Sequence, residues 1–346
     1  MYRHIKLAGL SAALVLGLAA CAADEAAREE AARPMDWQTL SGEPPLVIAH
    51  RGASGERPEH TLAAYELAIE QGADVIEPDL VMTSDGVLVA RHDHYLSTTT
   101  DIAERPEFAD RRREQAGRTD WWVEDFTLAE LRTLRAVQPW PDRDHAFDGE
   151  FLIPTFEEVL DLATEHGVAT EPEVKAPGHF VSIGLDPLPE LVRILRERGL
   201  DTADAPMTIQ CFEPDFLARL NGEIDTPLAM LVFAMQELDP AADPLQPTVA
   251  LQDMAEFADA VGPAKGLVVT PQGEDTGFVA RAHALGLAVH PWTFRDDVPV
   301  AEGVDIAAEL ERVYRLGVDG VFTDFPATAV AVRDGMTGEP AAPAGD

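Results

Sequence analysis

Positive charge is scarce in this chain. Its 346 residues carry 62 acidic side chains against 26 Lys and Arg, for a formal charge of −36, and the only lysines are Lys6, Lys175 and Lys265. A surface this acidic repels nucleic acid and anionic headgroups, so neither is a non-specific partner. The same field repels phosphate, and any phosphate site would need cations of its own. Cysteine is nearly absent too, with only Cys21 and Cys211. A core of this size needs no disulfide staple, so the scarcity says nothing about redox compartment. The apolar run Leu7 to Ala20 is too short to span a bilayer, which takes about 20 residues.

What is present at the N-terminus reads as targeting. Arg3, His4 and Lys6 precede that apolar run, which closes on Leu18-Ala19-Ala20-Cys21. The closing tetrad resembles the lipobox of bacterial lipoproteins, which implies cleavage before Cys21 and acylation of Cys21. Residues 1–20 are then a signal peptide, and the expected location is the cell envelope of a bacterium, lipid-anchored at the outer membrane or periplasmic face. Residues 21–45, rich in Ala and Glu, read as a tether, and residues 335–346 as a disordered tail. Cys211 is left as the only free thiol. The oligomeric state has no signature in the sequence.

Between these ends strands and helices alternate. The expected strands are Leu46–His50, Asp74–Met82, Ala169–Val174, Met207–Cys211, Pro227–Phe233, Gly266–Thr270, Leu287–Trp292 and Gly320–Thr323. The helical patterns between them are Leu62–Glu70, Phe156–Glu165, Leu188–Arg198, Pro214–Leu220, Met254–Val261, Gly277–Leu285 and Ile306–Leu316. Several close on glycine (Gly72, Gly167, Gly199, Gly286, Gly317), which suits the residue after a helix end. The alternation predicts an α/β fold, a (β/α)8 barrel over residues 46–334, with a doubly wound open sheet as the alternative. Polar groups leaving many strand ends, rather than one crevice, favour the barrel. Thr98 to Glu150 is too long for a simple connection and reads as an insertion capping the strand-end face. Its Arg111-Arg112-Arg113 triplet reads as a solvated face.

Chemistry concentrates at those strand ends. Leu46-Val-Ile-Ala-His50-Arg51 is a short apolar run that breaks at Gly52 and Gly55, with Thr61 placed to cap the next helix. Glu77 and Asp79, two apart on a strand, share a face, as do Glu171, Glu173 and Lys175. Carboxylates gathered on one face repel unless a proton or cation lies between them. An all-oxygen set suits a hard cation, Ca²⁺ or Mg²⁺, and a buried ion-pair network is the alternative. Pro78 lacks the N–H that a central strand would use, so the ladder should be interrupted there. His50 and His92 are a candidate acid–base pair. His60 and His94 read as structural.

Taken together, His50-Arg51-Gly52, Pro58-Glu59-His60-Thr61, Glu77-x-Asp79, Asp85-Gly86 with His92-Asp93, Glu173-x-Lys175, Gln210-x-Phe212 and Thr323-Asp324-x-Pro326 resemble the glycerophosphodiester phosphodiesterases. Ile48 to Gly55, Arg91 to Leu96 and Glu173 to Pro177 are most similar to the periplasmic, long-insertion branch. The resemblance covers about Leu46 to Val332. It implies one divalent cation, Ca²⁺ ahead of Mg²⁺, on Glu77, Asp79 and Glu173, with His50 and His92 as acid and base. Arg51 and Lys175 would hold the phosphate, and Trp292 would stand as an aromatic wall beside the glycerol. The implied reaction is hydrolysis of a small-molecule glycerophosphodiester to glycerol 3-phosphate and an alcohol. A phospholipase D-like enzyme on the same barrel and a non-catalytic, surface-anchored binding lipoprotein are the alternatives. Lys175 has independent support: a chain that uses arginine almost everywhere keeps lysine beside the carboxylates, where a compact point charge differs from a planar fork.

Overall fold

The computed structural model describes residues 35–298 and 305–337. Cys21, the signal peptide and the first part of the expected tether lie outside the described residues, as do residues 338–346 of the expected tail. The rest of the tether is not a free linker. Trp37 is 7% exposed and packs edge-on against Tyr314, and the Leu40 N–H donates to Asp319. Nor does the tail begin at residue 335, because the last helix, Pro326–Thr337, continues through it.

The strands in chain order are β1 (Leu46–His50), β2 (Val75–Glu77), β3 (Asp79–Met82), β4 (Leu88–Ala90), β5 (Arg113–Gln115), β6 (Arg118–Asp120), β7 (Ala169–Thr170), β8 (Glu173–Val174), β9 (Ile209–Cys211), β10 (Leu228–Val232), β11 (Ala260–Pro263), β12 (Ala288–Val289) and β13 (Gly320–Thr323). β2 and β3 are one barrel strand broken at Pro78, and β7 and β8 another broken at Pro172. Each proline withholds a ladder N–H, yet its carbonyl still accepts from the next strand, Glu173 N to Pro78 O at 2.9 Å and Gln210 N to Pro172 O at 2.9 Å. With those breaks joined, parallel pairing runs from β13 through β1 to β12. The ring closes through a parallel Phe294–Thr323 bridge and an Asp319 N to Val289 O hydrogen bond of 2.9 Å. The barrel expected from the alternation is therefore what forms.

Helices cover the outside. Thr61 caps Leu62–Glu70 with its hydroxyl accepting from Ala64 N at 3.1 Å. Thr155 and Glu158 form a reciprocal capping box on Phe156–His166. The five glycines expected at helix ends all have positive φ. One stretch was misread: Met254–Val261 is not a helix, and Gly266–Thr270 is not a strand. The helix is Leu251–Met254, the barrel strand is β11, and Lys265–Leu267 is a 3₁₀ turn. The close approach of Leu231 accounts for the glycine in β11, since a Cβ at Gly262 would meet that side chain at 2.4 Å.

The insertion leaves the barrel by an antiparallel β3–β4 hairpin, so the strand carrying His92 to the mouth is not one of the barrel's parallel strands. Beyond it, Leu96, Ile102, Phe108, Trp121, Val123, Phe126 and Leu131 build an apolar interior continuous with the main core. The arginine triplet works inside this segment rather than facing solvent alone. Arg111 pairs with Glu130, Arg113 with Asp125 and Glu124, and Arg112 lies over the Trp121 ring. On its far side Arg143 and Gln138 both donate to the Ser54 carbonyl, at 3.1 Å each, which fastens the insertion to the loop after β1.

Candidate active site

Parallel register sets the site. His50 is paired with Glu77, Asp79 with Glu173, and Glu173 with Gln210, so one row of neighbouring strand positions delivers most of the polar groups. The chain must then turn away from the barrel within a residue or two of each. Arg51, His60 and Ala176 all have positive φ, a strain of about 1–3 kcal/mol each that the surroundings must hold. At Arg51 the restraint is visible: its N–H donates to both the carbonyl (3.1 Å) and the carboxylate (2.8 Å) of Glu77. Gly52 follows because a Cβ there would meet the Ala64 backbone at 2.6 Å.

Glu77, Asp79 and Glu173 are buried, and their carboxylate oxygens lie within 4.8 Å of one another. Burial, then the charge of Asp79, pushes Glu77 well above the usual carboxylate range, and the same two causes raise Glu173 to about 8. Burial acts on Asp79 too, but Lys175 and a 2.8 Å hydrogen bond from His60 hold it well below the usual range. Lys175 Nζ is 2.8 Å from Glu173 and 3.8 Å from Asp79. Arg51 Nε adds a second cation 3.4 Å from Asp79, but its guanidinium is shared with Glu59 at 3.1 Å, so two cations face three buried carboxylates. An all-oxygen donor set of this charge, opening on a cavity, fits a divalent cation.

His50 hydrogen-bonds in two directions. Arg51 Nε can only donate, so at 3.2 Å it fixes His50 Nε2 as acceptor, and Nδ1–H donates to Asp324 at 2.7 Å. Burial, with the adjacent Arg51 charge, lowers the imidazole to about 4, so it is neutral near pH 7. Asp324 is held in turn by Arg143 at 2.6 Å and Arg295 at 2.7 Å. His92 is one-third exposed, and its Nδ1 meets Asp93 at 2.8 Å.

All of the proposed site residues except Asp79 and Cys21 line one cavity of about 590 Å³: His50, Arg51, Glu77, His92, Glu173, Lys175 and Trp292. Asp79 lies just beneath, and Cys21 is outside the described residues. Phe212, Phe233 and Trp292 form a three-ring wall, with Phe212 stacked on Phe233 at 4.6 Å and Trp292 edge-on to both. Sequence reasoning placed Trp292 but missed the two phenylalanines, and it assigned no role to Asp324, Arg143, Arg295 or Gln210. Asp324, Gln210 and Phe212 stood in quoted motifs and carried a signal. Arg143 and Arg295 sit in loops with none. His60, read as structural, is the group that holds Asp79, and its other ring nitrogen meets the Tyr65 hydroxyl at 2.8 Å.

Comparison with known proteins agrees with this geometry. The glycerophosphoryl diester phosphodiesterase family model matches residues 50–328. A glycerophosphodiester phosphodiesterase of Arabidopsis thaliana is 33% identical over 311 residues, 81% of this chain and 84% of that protein. One from Haemophilus influenzae is 32% identical, covering 84% of this chain and 90% of its own. Among solved structures, a Silicibacter pomeroyi protein described as a glycerophosphoryl diester phosphodiesterase superposes with a TM-score of 0.64 at 26% identity, over 87% of this chain and 98% of that one. An Oleispira antarctica phosphodiesterase in complex with sn-glycerol-3-phosphate shares the fold, with a TM-score of 0.63 at 23% identity over 86% of this chain and 100% of that one. Members of the family use a divalent metal, and the three clustered carboxylates are where this chain can hold one. The chain belongs to the glycerophosphoryl diester phosphodiesterase family.

Proposed function

We propose that the protein hydrolyses glycerophosphodiesters, such as glycerophosphocholine or glycerophosphoethanolamine, to glycerol 3-phosphate and the free alcohol. The observation that carries the reading is convergence: two histidines, three carboxylates, Arg51 and Lys175 from separate segments meet at one cavity in a chain matched to this family. A binding lipoprotein has no use for such a set. Glu77, Asp79 and Glu173 would hold the cation, a hard ion for so purely oxygen a donor set and Ca²⁺ ahead of Mg²⁺ by the family resemblance, and when bound it supplies Lewis-acid stabilisation of the phosphoryl oxygens. Arg51 and Lys175 add their own charge to those oxygens.

His50 is the general base. It is neutral near pH 7, its Nδ1 proton is fixed by Asp324, and Nε2 is the free lone pair once Arg51 swings from it to the phosphate. The nucleophilic oxygen loses its proton to Nε2 as the new P–O bond forms. His92 gives a proton to the departing alcohol oxygen as the old P–O bond breaks, with Asp93 beside its Nδ1 to steady the imidazolium. The wall of Phe212, Phe233 and Trp292 packs against the carbon skeleton.

The direct test is release of glycerol 3-phosphate from glycerophosphocholine, with and without chelator. Release that chelator abolishes, and that Ca²⁺ restores better than Mg²⁺, is the expected result. No release under any metal would overturn the reading. Bis(p-nitrophenyl) phosphate, whose leaving group scarcely needs protonation, assigns the histidines. His92→Ala should slow it far less than glycerophosphocholine, whereas His50→Ala should slow both. The Leu18-Ala19-Ala20-Cys21 tetrad supports anchoring of the mature chain by acylation of Cys21. Among the described residues no helix is long and apolar enough to cross a membrane. Cys21→Ser should leave the chain unanchored or unprocessed, and fractionation like wild type would rule the anchor out.

A further inference from the structure

Outside the active site, one cluster of side chains leaves its donors unused. Glu124 belongs to the one-turn helix Val123–Asp125 of the insertion, and its carboxylate is 2% exposed. Oε1 is fully engaged, accepting from Gln115 at 2.9 Å and Arg113 at 3.1 Å, with His179 Nε2 at 3.0 Å. Oε2 is buried and has no hydrogen-bond partner. Facing it at 4.0 Å is His94 Nδ1, which is buried and equally unpartnered. That separation is too long for a hydrogen bond, and two opposed orphan atoms are an arrangement that folded proteins avoid. His179 arrives from a third segment, the short helix Pro177–Ser182, with its ring centroid 4.8 Å from that of His94.

We propose that His94, His179 and Glu124 form a second metal site, separate from the three carboxylates and suited to Zn²⁺ or a similar late first-row ion. Two imidazoles and one carboxylate select such an ion, whereas the all-oxygen set at the barrel mouth selects a hard one. The donor atoms lie within 4.8 Å of one another. A tetrahedral ion about 2.0–2.2 Å from each would draw them to roughly 3.3 Å apart, a small inward movement. Arg113 and Gln115 hold Oε1, which leaves Oε2 turned to the ion, as supporting groups do around ligating carboxylates. His179 Nε2 would exchange its contact with Oε1 for the metal.

The site has a place in the architecture. His94 follows His92 by two residues, and His179 follows Lys175 by four. An ion here would tie both active-site segments to the insertion and hold the cap in register with the barrel mouth.

The test uses the full chain freed of metal, titrated with Zn²⁺ and with Co²⁺ in wild type, Glu173→Gln, His94→Gln, His179→Gln and Glu124→Gln. Glu173→Gln weakens the carboxylate site and should still take up one equivalent of Zn²⁺, with a rise in melting temperature. Co²⁺ there should give the intense visible absorption of a tetrahedral ion, without a thiolate band. His94→Gln, His179→Gln and Glu124→Gln should each weaken Zn²⁺ by more than the ~10–100-fold that loss of a supporting group costs, and lose the Co²⁺ spectrum. His179 is partly exposed, so its substitution tests the site without endangering the fold. If Glu173→Gln binds no Zn²⁺, or if His179→Gln binds it as tightly as wild type, the three side chains are an ion-pair cluster only.

Discussion

Asp324 governs how the proposed base is presented, and its effect on His50 can be separated from a purely structural one. Its carboxyl is held far below the ordinary range against the effect of burial, by the His50 hydrogen bond and by Arg295 and Arg143. Asp324→Asn keeps the shape but removes the charge that favours protonated His50. Turnover should fall on the order of 10²-fold with little change in KM, and the acid limb of kcat/KM, set by His50 at about 4, should move to lower pH. A limb that stays put would reduce Asp324 to a structural role. Glu173 makes a second prediction. Without metal its folded value is about 8, above the 4.5 of a free glutamate, so between those limits the folded chain binds the extra proton and loses stability as pH rises. A bound cation keeps the carboxylate ionised and reverses that loss. The melting-temperature gap between Ca²⁺-loaded and chelated protein should therefore widen from pH 5 to pH 8, and narrow again in Glu173→Gln. A gap independent of pH would count against cation binding at these carboxylates. The carboxylates were legible strand by strand: period two put Glu77 with Asp79 on one face and Glu173 with Lys175 on another, and the family resemblance joined the two sets. The distant hydrogen bond to His50 had no local signal, because Asp324 meets it from the far end of the chain.

At the scale of elements, proline and glycine decided where reading by propensity succeeded. Pro78 announced its own break, and Leu46–His50 and Gly320–Thr323 formed as expected because each is a short apolar run with a clear stop. The misread strand failed for the opposite reason. Gly266-Leu-Val-Val-Thr270 has the β-branched composition of a strand, while Ala260-Val-Gly-Pro263 has the composition of a turn. Packing overrode both, since Gly262 fits beside Leu231 and Pro263 is the last residue of its strand. The insertion was legible as an excess of chain but not as a partner of the site. Arg143 makes it one, with its guanidinium 3% exposed and bonded to Asp297 at 2.7 Å as well as to Asp324. Arg143→Ala strands buried carboxylate, and chemical denaturation should show a loss of about 3 kcal/mol, the lower end for a broken buried pair because Arg295 remains. Turnover should fall with it. Wild-type activity and stability together would mean that the insertion does not support the site through this residue.

For the whole molecule, the charge of −36 surrounds a cavity whose own cations are Arg51, Lys175 and Arg295. The long-range field opposes an anionic substrate, and salt shortens its reach from about 30 Å at 0.01 M to about 8 Å at 0.15 M. Over that range kcat/KM for glycerophosphoglycerol, a net anion, should rise several-fold, whereas zwitterionic glycerophosphocholine should respond little. A fall with salt would mean that the local cations dominate encounter. The scarcity of lysine also has a use at the bench. In the described body the only amines are Lys175, against Glu173 at the cavity, and Lys265, paired with Glu309 at 3.1 Å. Reductive methylation of a chain starting at Met35, with ¹³C-labelled formaldehyde, would therefore add two lysine resonances beside that of the N-terminal amine. One of the two sits where the substrate must lie, a built-in spectroscopic reporter for every ligand that enters.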